Sequence, residues 1–291
     1  MKIVYHVGSQ CTDEDRLIRS LLKNRGALAQ RGVAVPAPGR YRPVLRETLM
    51  ALRGAPATLA TQETLLDAIL EGSEADRVIL SHEYFLGIPS RVISPRGFHA
   101  GMGRKLAAIA NLFPDTPCEF HMAVRNPATL VPALIGQING ASYASVLSDA
   151  DPAQLRWEPA IADAVAAMRD LRLVVWCNED SPILWPAILR RMAALPGDAP
   201  VEGANDLLAQ VMSPEGFRRM EAYTVQHPPR SEAQRRKIAG AFLDKFALPE
   251  AVEVALPFPG WSESLVEEIS RAYEADMEAV AYLPGVEVIG L

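Results

Sequence analysis

The sequence predicts an α/β fold: a mainly parallel sheet with helices on both faces, followed by a helical C-terminal section. Three observations lead there. Short apolar runs such as Lys2–Val7 and DRVILS at Asp76–Ser81 lack the alternation of a half-exposed strand, so they fit strands buried on both faces. Stretches with apolar residues at helical spacing separate these runs, the pattern of right-handed crossovers between parallel strands. Beyond Pro182 the strand-like runs give way to mostly helical sequence.

The elements follow in order. Lys2–Val7 is β-branched and ends at Gly8, a strand running into a turn. Leu17, Ile18, Leu21 and Leu22 predict a helix over Thr12–Arg25, and Val33–Val35 a second short strand. The Pro- and Gly-rich stretch Pro36–Pro56 reads as an irregular excursion around a helix at Val44–Arg53. Gln62–Glu71 is helical and Asp76–Ser81 a buried strand. The alternation continues with helices predicted at Gly103–Phe113, Ala128–Ile138 and Pro159–Met168, and strands at Cys118–Val124 and Leu171–Trp176. A last long helix, Ser264–Tyr282, opens with Ser264 three residues before Glu267, a capping-box spacing. One domain over residues 1–291 is the simplest organisation.

Composition excludes several classes. With 49% hydrophobic and 22% charged residues, the 291-residue chain has the makings of an ordinary globular core. A net charge of −6 argues against a general nucleic-acid binder, which needs clustered Lys and Arg. Cys11, Cys118 and Cys177 form no C-x-x-C pair, so neither a disulfide framework nor a zinc site is expected. No apolar run approaches the roughly 20 residues of a membrane span, and the expected location is cytoplasmic. No nucleic-acid or membrane partner is expected, and the sequence assigns no oligomeric state.

The segment IVYHVGSQCTDEDRL at Ile3–Leu17 is a strand, a glycine turn and a helix. Such a turn cradles an anion when free backbone N–H groups and a helix N-terminus converge on it. Here the chain resembles the opening of bacterial sulfotransferase-family proteins, in which a strand ending in His-x-Gly leads into a Lys-Thr-Gly-Thr-Thr-type loop. His6, Gly8, Thr12 and Leu17 match that pattern, and NRGALAQRGVAVP at Asn24–Pro36 is similar to the passage to the second strand. The resemblance implies a P-loop NTPase-like, sulfotransferase-type three-layer fold. It also implies a 3′-phosphoadenosine-5′-phosphosulfate cofactor, held by the loop Gly8, Ser9, Gln10, Cys11 and Thr12 and by Arg125.

The departures are large. Cys11 stands where the family has its phosphate-binding Lys, Asp13 where it has Gly, and Glu14 and Asp15 where it has Thr-Thr. A carboxylate roughly 5 Å from a ligand anion costs about 3 kcal/mol at an effective dielectric near 20. Binding of the cofactor is therefore expected to be weakened or lost. Two other readings of the loop stand beside this one. Thr12 and Asp15 match a capping box, so the acids fit the start of a helix as structural groups. A metal held by Asp13, Glu14 and Asp15 is the third reading, although contiguous acids are poorly spaced for it, and no metal is expected. Cys11 is read as an ordinary free cysteine, with a reactive thiol at a helix start as the alternative.

Arg125-Asn126-Pro127 follows the strand Cys118–Val124, with Pro127 placed for a first helical turn. The resemblance gives Arg125 the nucleotide 3′-phosphate, but the family's partner Ser falls at Ala133; Ser142 and Ser145 are candidate substitutes. Ser81-His82-Glu83 lies at the sheet edge where open α/β proteins bind ligands, which makes His82 or Glu83 the candidate base for an acceptor hydroxyl. A capped turn is the plainer reading of those residues. Gly101-x-Gly103-Arg104-Lys105 superficially suggests a phosphate loop but reads as the start of a helix; Arg104 or Lys105 would have to stand in for the missing loop Lys. Glu179-Asp180 reads as a helix start or a core-anchoring pair, and Arg235-Arg236-Lys237 as a solvated helix face.

Two functions fit. The first is a divergent sulfotransferase moving a sulfuryl group to a hydroxyl or amine of a small-molecule or carbohydrate acceptor. The second is a non-catalytic protein of the same fold that binds a ligand or partner. A third function, a nucleotide kinase, fits poorly because Gly-Lys-Ser/Thr is missing.

Overall fold

Six strands form one parallel sheet, in the order β2-β3-β1-β6-β7-β8. In sequence they are β1 (Lys2–His6), β2 (Val33–Ala34), β3 (Arg77–Ser81), β6 (Cys118–Val124), β7 (Leu173–Cys177) and β8 (Val286–Ile289). A separate antiparallel hairpin joins β4 (Ile93–Ser94) to β5 (Gly97–Phe98). The coordinates are a computed structural model, which describes residues 1–252 and 261–291. The expected α/β architecture with a parallel sheet and a helical C-terminal section is present.

Strand alternation divides the core in two. Ile3, Tyr5, Val78, Leu80, Phe120, Met122 and Val175 face one layer, built largely on the helices Pro38–Leu52, Leu59–Leu70, Met102–Ala110, Pro127–Gln137, Glu158–Ala167 and Glu263–Ala281. Val4, Ile79, Ala123 and Trp176 face the other, where Leu17, Ile18 and Leu21 of the helix Arg16–Lys23 meet Trp185 and Ile188 of the helix Ser181–Ala193. Both faces are dry, which is why the strands read as continuous apolar runs. A third, smaller cluster of Leu208, Met212, Met220 and Ala239 holds the helices Pro214–Gln226 and Glu232–Phe246 together.

The N-terminal end of the sheet carries a buried charge cluster. The Glu119 carboxylate accepts from His121 at 2.9 Å, from Arg191 at 3.1 Å and from Arg77, with Lys2 at 3.6 Å. Burial alone would raise the Glu119 carboxyl, yet His121, Arg77 and Arg191 together hold it well below the usual carboxylate range.

Several sequence expectations shift. The helix expected over Thr12–Arg25 starts only at Arg16, because Glu14 and Asp15 adopt left-handed φ of 48° and 65°. The excursion after Pro36 contains a longer helix than expected, Pro38–Leu52, with Pro43 accommodated inside it. The last long helix is capped by Ser262, whose hydroxyl accepts from Leu265 N at 3.2 Å, so the Ser264–Glu267 capping box does not form. Arg235 and Arg236 are tied down rather than solvated: Arg235 donates to the Ile183 carbonyl, and Arg236 to Gly290 O at 2.7 Å. The edge strand β8 adds an element that the sequence pattern does not single out. No helix among the described residues is long and apolar enough to cross a membrane.

Candidate functional site

The chain leaves β1 at the point where the strand order changes direction, between β1 and β6, and the crevice beyond such a point is the usual ligand position in open α/β sheets. Pairing continues past the strand end, with Ser9 N donating to Ala123 O at 2.9 Å and Ala123 N to Gly8 O at 2.8 Å. Gly8 has φ of +104°, and a Cβ there would lie 2.9 Å from the Glu83 carbonyl oxygen, so only glycine fits this crossing. Ser9 and Gln10 are buried beneath the loop. Ser9 Oγ shares a 3.2 Å hydrogen bond with His99 Nε2, and Gln10 Nε2 donates to Gly87 O at 2.5 Å. Cys11 takes a left-handed φ of 60°. Among the described residues, no carbonyl accepts from the main-chain N–H groups of Gln10, Cys11, Thr12 and Asp13.

The acidic residues go separate ways. Asp13 Oδ2 accepts from Leu17 N at 3.1 Å, and Asp13 O from Arg16 N at 2.8 Å, so Asp13 stabilises the start of the helix. Glu14 pairs with Arg16 at 3.0 Å on the surface. Asp15 meets Arg42 through two bonds of 3.0 and 2.5 Å, and the Arg42 guanidinium holds its carboxyl below the usual range. The capping box read from Thr12 and Asp15 is corrected: the Thr12 hydroxyl turns back to Ser9 O at 2.5 Å, and Asp13 does the capping. With three partners in three directions, these carboxylates do not converge on a cation.

Arg125, at the end of β6, bridges the loop to the next helix. It donates to Cys11 O at 2.5 Å and to Thr129 Oγ1 at 2.9 Å. Asn126 caps the helix Pro127–Gln137 by accepting from Ala128 N at 2.9 Å, and its own N–H donates to Glu179 Oε1 at 2.9 Å. Glu179 therefore anchors this strand end from the short turn Asn178–Asp180 that leads into the helix Ser181–Ala193. Ser142 and Ser145 cap each other at the helix Tyr143–Leu147, so neither supplies a partner for Arg125. Burial pushes the Cys11 thiol up to about 12 against the pull of Arg125, which sets aside the reactive thiol.

His82 and Glu83 lie on the other side of the first loop. Burial and then Arg42 push His82 down to about 4, so its ring is neutral near pH 7. Burial, with Asp13 and Asp15 close by, pushes the Glu83 carboxyl up. His6 is fully buried, shares a 2.9 Å hydrogen bond with Ser81 Oγ and stacks on Trp176.

A cleft of about 580 Å³ opens beyond β1, β6 and β7. Its polar wall includes Cys11, Thr12, Asp13, Glu14, Arg16, Arg125, Thr129 and Glu179, and its apolar wall includes Ile183, Val211 and Leu243 from the helical section. The structure thus brings Cys11, Thr12 and Arg125 together in one cleft. Gly8, Ser9 and Gln10 lie below its lining, while His82 and Glu83 flank the loop outside it. Arg104 and Lys105 are outside it as well, so they do not replace the loop lysine. Sequence reading missed Arg42 and Thr129. Only their positions, opposite Asp15 and one helical turn after Arg125, would have singled them out.

No family model matches the chain, and no curated protein matches it. Among solved structures it is similar to the crystal structure of a sulfotransferase from Alicyclobacillus acidocaldarius, at 9% identity and a TM-score of 0.39, over 82% of this chain and 97% of that one. It is also similar to the sulfotransferase domain from the curacin biosynthetic pathway, at 12% identity and a TM-score of 0.39, over 94% of this chain and 97% of that one. The chain shares structural similarity with sulfotransferases at low sequence identity.

Proposed function

We propose that this chain is a binding protein with a sulfotransferase-like fold, whose strand-edge cleft takes a small polar molecule that is not anionic, a carbohydrate included. One observation carries the reading: among the described residues, the cations that line the cleft are already engaged within the protein. Arg16 pairs with Glu14, Arg42 with Asp15, and Arg125 is bound to Cys11 O and Thr129 Oγ1. With a buried thiol in place of a lysine and Asp13 and Glu14 in the cleft wall, the residues present do not fit a phosphosulfate donor. The position of His82 and Glu83 outside the cleft supports the same reading, because a base must come within hydrogen-bond reach of its proton.

A second reading, sulfuryl transfer, is favoured by the loop amides of Gln10 to Asp13 that no described carbonyl accepts from. Calorimetry with 3′-phosphoadenosine 5′-phosphate separates the two. The binding-protein reading expects no heat at millimolar nucleotide, and thermal stabilisation by neutral mono- or disaccharides. Submillimolar nucleotide binding that is lost in Arg125→Ala would establish the transferase instead. The double variant Cys11→Lys, Glu14→Thr should gain nucleotide affinity, since it restores the cation and leaves the Asp13 cap and the Asp15–Arg42 pair intact.

A further inference from the structure

The residues that buttress the first loop form a segment of opposite charge. Between Tyr84 and Pro114 the sequence contains Arg91, Arg96, Arg104 and Lys105 and no Asp or Glu, in a chain whose net charge is −6. The fold gathers three of these cations. Arg91 ends the short turn Pro89–Arg91, while Arg104 and Lys105 lie in the first turn of the helix Met102–Ala110. Lys105 Nζ reaches to 3.9 Å from where a Cβ on Gly87 would stand, and Gly87 O is the acceptor of the Gln10 side chain. An Arg104 guanidinium nitrogen lies 3.7 Å from the corresponding point on Gly101. Among the described residues, none of Arg91, Arg104 and Lys105 has a side-chain ion pair or hydrogen bond.

Lys105 is half-buried, and burial together with Arg104 and Arg91 pushes its ammonium down, so three like charges share one region with no counter-charge paired to them among the described residues. The platform beneath them is fixed. The hairpin β4–β5 buries Ile93 and Phe98, Phe98 stacks on Trp157 with ring centroids 4.2 Å apart, and His99 donates its backbone N–H to Val92 O at 2.7 Å. His99, 1% exposed and within electrostatic reach of Lys105, keeps an Nδ1 without a partner. Cations carried on such a packed platform, with no partner among the described residues, make a receptor for an external anion.

We propose that Arg91, Arg104 and Lys105 form a binding site for a tetrahedral oxyanion, a phosphate or sulfate group on a small molecule, beside the first loop and outside the cleft. The two guanidinium groups supply planar pairs of donors and the ammonium a point charge, a combination suited to several oxygens on one centre. The site is independent of the cleft reading, because none of its residues lines the cleft.

Titration with inorganic phosphate and, separately, with sulfate, followed by amide chemical shifts in the full chain, tests it. Saturable binding is expected, with the largest shifts at residues 87–91 and 99–106, and it should weaken as salt rises. Arg104→Ala, an exposed position whose loss leaves the fold intact, should weaken binding about threefold or more, and Arg104→Ala with Lys105→Ala about tenfold or more. Arg104→Lys should retain most of the affinity, and Arg125→Ala all of it. Absence of saturation with both ions, or equal affinity in the double variant, overturns the proposal. Preference for phosphate over sulfate, or the reverse, identifies which group the site takes.

Discussion

The two ends of the parallel sheet treat buried polar groups in opposite ways. At the N-terminal end Glu119 is surrounded by His121, Arg77, Arg191 and Lys2, and its charge is answered within the protein, with His121 Nδ1 the one buried side-chain atom of that cluster left without a partner among the described residues. Around the loop at the C-terminal end, His6, Gln10, His82, Glu83 and His99 each keep a buried side-chain atom without a partner among the described residues, and four consecutive loop amides meet no described carbonyl. Unsatisfied buried groups are costly, and native proteins retain them mainly where something else completes them. The first end is therefore a structural closure, and the second is where ligands are to be sought.

That contrast can be broken by experiment. Glu119→Gln leaves Arg77 buried without its counter-charge and should cost about 3–5 kcal/mol in urea unfolding. Gln10→Leu, at the other end, should cost only about 1 kcal/mol, since it removes one hydrogen bond and an acceptor that was never satisfied. Equal costs would erase the distinction between the two ends. Gly8→Ala should cost about 2–3 kcal/mol, because the added carbon meets the Glu83 carbonyl at a φ that alanine avoids; a neutral result would mean that the loop slides freely.

Acid sharpens the comparison further. His99 is held neutral by burial, down to about 3, while an exposed imidazole titrates near 6.5. The unfolded chain therefore binds a proton that the native chain refuses, and stability present above pH 6.5 is lost as pH falls toward the folded value. This one group contributes a slope of up to about 1.4 kcal/mol per pH unit. His99→Asn, whose side chain tolerates the left-handed φ of 41°, should flatten the stability profile below pH 6.5. An unchanged profile would place the acid sensitivity elsewhere, for example at His121. The smallest effect belongs to Glu14→Gln: Glu14 is exposed and paired only with Arg16, so stability should move by less than about 0.5 kcal/mol.

Much of the sheet was legible in the sequence because strands buried on both faces are apolar throughout. Cys118–Val124 and the neighbourhood of Lys2–His6 and Arg77–Ser81 stand out for that reason. The strand β8 was not legible: VEVI is short and none of it is fully buried, with Val286 and Val288 packing on one face and Ile289 on the other. The hairpin β4–β5 has two residues per strand, too few for any periodicity. At the site, the strand, glycine turn and helix were readable, as was the place of Arg125 at a strand end. What escaped was pairing across distance. Nothing local says that Asp15 will face Arg42 or that Arg125 will turn back onto Cys11 O, since those choices are made by tertiary packing.

The edge strand β8 has a consequence for how the protein is made. Among the described residues its one neighbour in the sheet is β7, yet the whole helical section is translated between them. On the ribosome, β7 must wait as an uncovered border while those helices emerge, and Arg191 waits with it for Glu287. Long-range parallel pairing of this kind is slow to form and exposes strand edges in the meantime. Newly synthesised chains should thus be most prone to aggregate just before Val286–Ile289 clears the exit tunnel, a vulnerability absent from the finished fold.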